Sequence, residues 1–332
     1  MVQFWCLQTQ VTVLVTLLFL LSILLHSPLN YQRLPRILTP ILRQSSKVGN
    51  NTLLTRQIYV SGFKRAHPEL CPFLGENLRL LILIASQPSN WKARDEIRLT
   101  WKHYASRSDI SSGFIIGSPS DDLIGQIDEE DKLYNDIIIG RFKDSQLNLT
   151  LKTLSMLEWV DAYCPNVPKI LKTDDNVYVN VPILIDFIET PSRKNAMKTI
   201  WGKVQKNDVV NWAWHMKDFD VAEHFVGKVL PDFAMGPAYL MTTDVVGDML
   251  DAALDKPYLR LEDVFVTGVL GSEVGMRREH STEFENIHME TMTPCVAKDN
   301  IALSTQFYTQ FEFWRKLEGG LLDCFDTDSG IY

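Results

Sequence analysis

No charged side chain occurs before Arg33. A cleaved export signal opens on Lys or Arg and ends at a small-residue cleavage site. Here the basic start is missing, and His26-Ser27-Pro28 makes a poor site. In its place is an apolar stretch over residues 4–25, densest over 11–25. At about 1.5 Å per residue its 22 positions reach roughly 33 Å, enough to cross a bilayer core. Residues 1–26 are therefore expected to be a short N-terminus and an uncleaved signal-anchor helix. A basic surplus is missing too. Thirty-three Lys and Arg stand against 41 Asp and Glu, for a net charge of -8. That is the opposite of what a general polyanion binder carries, so nucleic acid is not an expected partner. There is no internal repeat and no low-complexity tract. A chain of 332 residues that is 45% hydrophobic, 10% aromatic and 22% charged is globular, which excludes fibrous or wholly disordered architectures. Pro28, Pro35, Pro40, Pro68 and Pro72 mark residues 27–75 as a stem, leaving one domain over 76–332.

Cysteine is scarce. Of five, Cys6 lies in the apolar stretch; Cys71, Cys164, Cys295 and Cys324 form an even set. No two of the four are close in sequence, so a zinc-finger pattern is absent. An even set suits disulfides in an oxidising compartment, with buried free thiols as the competing reading. Four cysteines allow three pairings; Cys71–Cys164 with Cys295–Cys324 is the one expected here. Asn50-Asn51-Thr52 and Asn148-Leu149-Thr150 are glycosylation acceptors by sequence, which also favours a lumenal domain. Against this, Arg33, Arg36, Arg43 and Lys47 follow the span, and positive charge prefers the cytosol.

Within the domain, residues 78–86 (LRLLILIAS) read as a buried strand. Residues 91–104 read as a helix with Arg94 and Arg98 one turn apart on one face. Residues 113–117 and 136–142 are further strands. Residues 144–163 read as a helix, with Leu147, Leu151, Leu154, Leu157 and Val160 at spacings of three and four. A strand over 168–173 then delivers Asp174 and Asp175 at its carboxyl end. Alternating strands and helices imply an α/β sandwich, and in open α/β sheets ligands bind beyond the carboxyl ends of strands.

Three acidic or glycine-bearing segments could carry chemistry. In Lys172-Thr173-Asp174-Asp175-Asn176, crowded oxygens at a strand end suit a hard divalent ion such as Mg²⁺ or Mn²⁺; the same composition also makes an ordinary turn. Leu261-Glu262-Asp263-Val264 offers a general base, or simply acidic residues at a helix N-terminus. Residues 231–239 read as a loop entering a strand, with Gly236 permitting close backbone approach. His288 alone reads as a surface or core histidine.

Taken in order, these pieces resemble one family. Arg94-x-x-Ile97-Arg98-x-Thr100-Trp101, Phe114-Ile115-Ile116-Gly117, Glu129-Glu130 with Tyr134, Asp144-Ser145 with Asn148-Leu149-Thr150-x-Lys152-Thr153, the Lys172–Asn176 segment, Gly236-Pro237-Ala238-Tyr239 and Glu262-Asp263-Val264 are similar to the β-1,3-galactosyltransferase family, glycosyltransferase family 31. The resemblance covers about residues 70–300. It implies a GT-A-like mixed sheet that binds a nucleotide sugar, flanked by helices and preceded by one transmembrane helix. It implies a single-pass type II Golgi membrane protein with a lumenal catalytic domain, which decides the orientation against the basic flank. The implied activity is inverting transfer of galactose from a UDP donor to a glycan hydroxyl on protein or lipid. N-acetylglucosamine is the alternative sugar, and an inactive lumenal binding module is the alternative to an enzyme. By the same resemblance Asp174, Asp175, Asn176 and His288 hold Mn²⁺, Asp263 is the base and Glu262 supports it. Arg94, Arg98, Lys152, Gly236 and Ala238 are implied contacts of the nucleotide sugar.

The chain departs from the family pattern at four places. Asn176 stands where a third Asp is usual, so weaker metal binding is expected. Ala238 replaces a Gly, and its methyl is expected to narrow the donor pocket. Gln146 and Asp218 replace aromatics.

Overall fold

A computed structural model describes residues 53–206, 230–285, 299–304, 310–312, 314 and 315. The apolar stretch over 4–25, Asn50, Asp218, His288, Cys295 and Cys324 lie outside the described residues. Among the described residues no helix is long and apolar enough to cross a membrane.

The frame is an eight-stranded mixed sheet. Strand β1 is Phe63–Arg65, β2 Leu80–Ala85, β3 Ile110–Ser118, β4 Ile137–Lys143 and β5 Lys169–Asp174. Farther along the chain, β6 is Val177–Val179, β7 Thr199–Gln205, β8 Phe233–Thr242 and β9 Arg277–His280. The strand order is β1-β4-β3-β2-β5-β8-β7-β9. Strands β4, β3, β2 and β5 run parallel, β8 is antiparallel to both β5 and β7, and β1 is antiparallel to β4. A small second sheet joins β6 to two short strands, Phe284–Glu285 and Ala302–Ser304.

β2 reads LLILIA because both its faces are covered. Leu81 and Leu83 pack with Leu154, Trp159 and Met249 on one side; Leu80, Ile82 and Ile84 pack with Ile97, Trp101 and Leu184 on the other. The first layer is built by α3 (Leu149–Tyr163), α6 (Val246–Leu254) and a π-helical segment, Val264–Leu270. The second is built by α1 (Trp91–Leu99) and α4 (Val181–Glu189). Further helices among the described residues include α2 (Asp121–Tyr134) and α5 (Pro191–Lys194).

Several expected boundaries move. The helix expected over 91–104 breaks at Thr100, whose backbone (φ -117, ψ -118) is not helical. The helix expected from residue 144 begins at Leu149 after a 3₁₀ turn, so Leu147 is 46% exposed while Leu151, Leu154, Leu157 and Val160 are buried. The stem expected over 27–75 is, from Leu53 on, part of the folded unit. Thr55 donates its amide to Lys256 O, β1 extends the sheet beyond β4, and Cys71 and Cys164 form a disulfide with Cα atoms 5.6 Å apart. Glu158 of α3 accepts bonds from Tyr59, Ser61 and the Gly62 amide. At the acceptor tripeptide, Asn148 Nδ2 donates to Lys143 O, and buried Thr150 donates to Leu259 O.

Candidate active site

Strand order fixes where the site lies. The chain runs β2, β3, β4 in one direction across the sheet, then returns so that β5 lies on the other side of β2. That reversal opens a crevice outside the carboxyl ends of β2 and β5, the place where open α/β sheets take ligands. Ala85 pairs with Asp174 there, and the Asp175 amide donates to Ala85 O over 3.0 Å. Both acidic residues thus occupy the mouth of the crevice because the strand carrying them ends beside β2.

Asp175 is held from the β2 side. Ser86 Oγ and Asn90 Nδ2 donate to its Oδ2 at 2.7 and 3.0 Å. Burial pushes its carboxyl above the usual range, against the pull of the Asn90 and Ser86 bonds. Asp174 is held from within the sheet, where Lys172 Nζ donates to its Oδ1 over 2.7 Å. Lys172 is 3% exposed, reaches Gly236 O at 2.6 Å and stands 3.7 Å from Glu262 Oε2. Burial alone would pull its ammonium down; Asp174 and then Glu262 outweigh that and raise it, so the cation is kept.

The second acidic pair arrives from the other side. Glu262 is buried and accepts from Tyr239 Oη over 2.8 Å. Asp263 begins the π-helical segment, its Oδ1 accepting from the Val264 amide at 2.9 Å and its Oδ2 from the Gly236 amide at 3.1 Å. Burial raises the Asp263 carboxyl, opposed by those two amides. The helix-terminus reading of Asp263 therefore holds, one oxygen capping the turn while the other accepts from the Gly236 amide beside the crevice. Gly236 belongs to strand β8 and not to a loop; between Gly202 and Val204 the β7–β8 register shifts, so Gly236 falls where the ladder is irregular. A Cβ on Gly236 would stand 3.3 Å from Glu262 Oε2.

Three implied nucleotide contacts are placed differently. Arg94 is fully buried, with Nε and Nη2 on Glu130 at 2.8 and 2.7 Å and its other bonds on Ser86 Oγ, Gln87 O and Pro88 O. Arg98 binds Glu130 and Asp136 and stacks over Tyr134. Lys152 is enclosed between Ser86 O and Asp144. A buried cation needs its counter-charges nearby, and these three have found theirs inside the protein. Arg94 and Lys152 brace the 86–90 loop through Ser86, and Arg98 braces Glu130 behind it. Ala238 is also corrected: its methyl is fully buried in the apolar layer with Trp201 and Leu240, so it does not narrow a donor pocket.

A cavity of about 430 Å³ opens beyond the ends of β2, β3 and β4, lined by Gln87, Ser118, Ser120, Arg141, Lys143 and Asp144 among others. It shares the 86–90 loop with Asp175. Lys172, Ser86, Asn90, Arg141 and Lys143 had no assigned role in the sequence. Lys172 alone left a signal, a Lys within the strand read over 168–173.

The donor atoms suit a hard cation. Lys172 takes Oδ1 of Asp174, and Ser86 and Asn90 take Oδ2 of Asp175; the other oxygen of each carboxylate makes no hydrogen bond among the described residues. No group of three His, Cys, Asp or Glu poised for a metal is present among the described residues.

The chain resembles known proteins over this same region. The family model described as galactosyltransferase matches residues 92–282. β-1,3-Galactosyltransferase 9 from Homo sapiens is 36% identical over 220 residues, 65% of this chain and 58% of that protein. The lactosylceramide 1,3-N-acetyl-β-D-glucosaminyltransferase of Homo sapiens is 27% identical over 240 residues, 69% of this chain and 63% of that protein. The chain thus spans less than two thirds of the length of these relatives. A solved glycosyltransferase involved in the glycosylation of the major capsid of PBCV-1 is 10% identical with a TM-score of 0.42, covering 72% of this chain and 98% of that one. With more than half of its residues matched by the family model, from α1 to just past β9, the chain belongs to the galactosyltransferase family, glycosyltransferase family 31.

Proposed function

We propose that this chain is an inverting glycosyltransferase that moves galactose from UDP-galactose to a glycan hydroxyl in β-1,3 linkage. One observation carries the reading: Lys172 joins Asp174 to Gly236 and Glu262, and Gly236 joins Asp263, so both acidic pairs share one crevice. The acceptor hydroxyl oxygen attacks the anomeric carbon of the donor, its proton passes to Asp263, and the bond from that carbon to the diphosphate breaks with its electron pair leaving on UDP. One base on the face opposite the leaving group suffices, and no enzyme nucleophile is required. Glu262 supports Asp263, held in place by the Tyr239 hydroxyl. The cavity beside the 86–90 loop takes the nucleoside, with Arg141 and Lys143 as the cations lining it. Asp174, Asp175 and Asn176, with His288 from outside the described residues, would hold a divalent ion, Mn²⁺ before Mg²⁺. Bound there, it supplies Lewis-acid neutralisation of the diphosphate.

The setting proposed is the Golgi lumen, with the domain tethered by a type II signal-anchor. The Cys71–Cys164 disulfide and the apolar stretch over 4–25 support it. A second reading, transfer of N-acetylglucosamine, is favoured by the lactosylceramide-acting relative. The two sugars differ by one substituent, which a few pocket side chains discriminate.

The test is UDP release by the purified full-length protein from UDP-galactose, UDP-N-acetylglucosamine and UDP-N-acetylgalactosamine, with and without Mn²⁺, across a panel of glycan acceptors. Metal-dependent release with one donor and a β-1,3-linked product supports the reading. UDP binding without turnover on any donor or acceptor would replace it with the binding-module alternative.

A further inference from the structure

We propose that Lys172 is a positioning residue of the transfer site, fixing Asp263 relative to Asp174 through the Gly236 peptide. This rests on the transferase reading of the same crevice. A lysine in an interior strand is costly unless its charge is matched, and Lys172 sits on β5 at 3% exposure. Its one ammonium contacts three groups from different parts of the chain: Asp174 Oδ1 at 2.7 Å, Gly236 O at 2.6 Å and Glu262 Oε2 at 3.7 Å. The Gly236 backbone passes the constraint on, from the peptide after its Cα to the one before it. Its carbonyl accepts from Lys172 while its amide donates to Asp263 Oδ2 over 3.1 Å.

The Glu262 side shows why the cation cannot be replaced by packing alone. Among the described residues, buried Glu262 Oε2 accepts no hydrogen bond, and Lys172 is the positive charge facing it. Glu262 Oε1 is occupied by Tyr239, whose ring also lies 5.8 Å from Lys172 Nζ. Gly236 lies close to both acidic residues, since a Cβ built there would stand 3.3 Å from Glu262 Oε2 and 3.5 Å from Asp263 Cβ. Withdrawing the ammonium frees the Gly236 carbonyl, lets the irregular part of β8 move, and carries the amide away from Asp263. Small displacements of this kind misplace a reacting group without emptying the donor site.

Lys172→Met in the purified full-length protein tests this, with Lys172→Met/Glu262→Gln as the charge-balanced partner should the single variant fail to fold. By hydrogen exchange, the peptide spanning residues 233–240 is expected to exchange about tenfold faster than in the wild type, while α3 keeps its protection. By kinetics, kcat is expected to fall about 10²-fold with KM for the UDP-sugar within about threefold. Because Lys172 acts through Asp263, adding Lys172→Met to Asp263→Asn is expected to cost less than about twofold more. Unchanged exchange over 233–240 overturns the proposal, and so do losses that multiply in the double variant. If the wild type transfers no sugar, the transferase reading fails by itself, and the exchange result still decides whether Lys172 holds Gly236 in place.

Discussion

Ser86 Oγ donates to Asp175 Oδ2 across 2.7 Å while accepting from Arg94 Nη1 at 3.0 Å. One hydroxyl thus couples a fully buried guanidinium to a carboxylate at the crevice mouth. Ser86→Ala removes both bonds and leaves Asp175 with Asn90 alone. The expected stability loss is about 1–3 kcal/mol, read by urea unfolding, since each lost bond involves a charged partner. The Mn²⁺ concentration giving half-maximal transfer is expected to rise, because Asp175 is then free to turn.

Asp263→Asn separates base chemistry from architecture. Asn keeps an oxygen for the Gly236 or Val264 amide but cannot take a proton at neutral pH. The expected loss in kcat is about 10²–10⁴-fold. The thermal midpoint should hold or rise, because the variant removes a carboxylate whose ionisation burial opposes. Full turnover in this variant would place the base elsewhere.

The pH profile should carry the same signature. Burial raises the Asp263 carboxyl, so the group remains protonated at pH values where an ordinary Asp, near about 3.9, has already ionised. A base must be ionised to work. The acid limb of kcat/KM is therefore expected above that ordinary value, with activity falling as pH drops through it, and Asp263→Asn should have no such limb. Stability should run the opposite way. A carboxyl with a raised folded-state value binds its proton more tightly when folded, so its contribution improves as pH falls through that value.

Arg94→Met tests whether this motif arginine is structural. It leaves Glu130, which is close to buried, with Arg98 as its remaining partner. Breaking a buried pair from one side costs about 3–5 kcal/mol, and the lower end is expected here because Arg98 stays. Denaturant unfolding measures it. A substitution cost near zero, with a large rise in KM for the UDP-sugar, would mean that Arg94 meets the ligand after all.

Removing the Cys71–Cys164 disulfide releases a constraint between positions 93 residues apart. Closing a loop of that size is worth about 4.6 kcal/mol in the unfolded chain. Cys71→Ser/Cys164→Ser is expected to lose about that much in guanidinium unfolding. Reductant should lower the wild-type midpoint and leave the double variant's unchanged.

How legible was this molecule in its sequence? The central strands were legible because burial on both faces writes itself as an unbroken apolar run, as in β2. Helix α3 was legible from its spacing of leucines. Helix α2 was not: among its residues Ile127 and Asp131 alone are buried, too narrow a stripe to stand out. Residues 231–239 read as a loop entering a strand, whereas β8 already begins at Phe233; Gly and Pro mask its start, and the sheet tolerates them there through a register irregularity. At the site, the acidic residues could be named, since charge at a strand end has few explanations. The acidic partners of Arg94 and Arg98 could not be named, because a cation's partner is a tertiary fact: Glu130 lies 36 residues from Arg94. Lys172 went unassigned for the same reason, its contact at Gly236 being 64 residues away.

The residues before β2 have a practical consequence. A fragment beginning at residue 76 would bare the outer edge of β4 to pairing with other molecules and strip Glu158 of its three donors. Secreted recombinant versions should therefore start upstream of Leu53, and shortening them further would trade yield for aggregates.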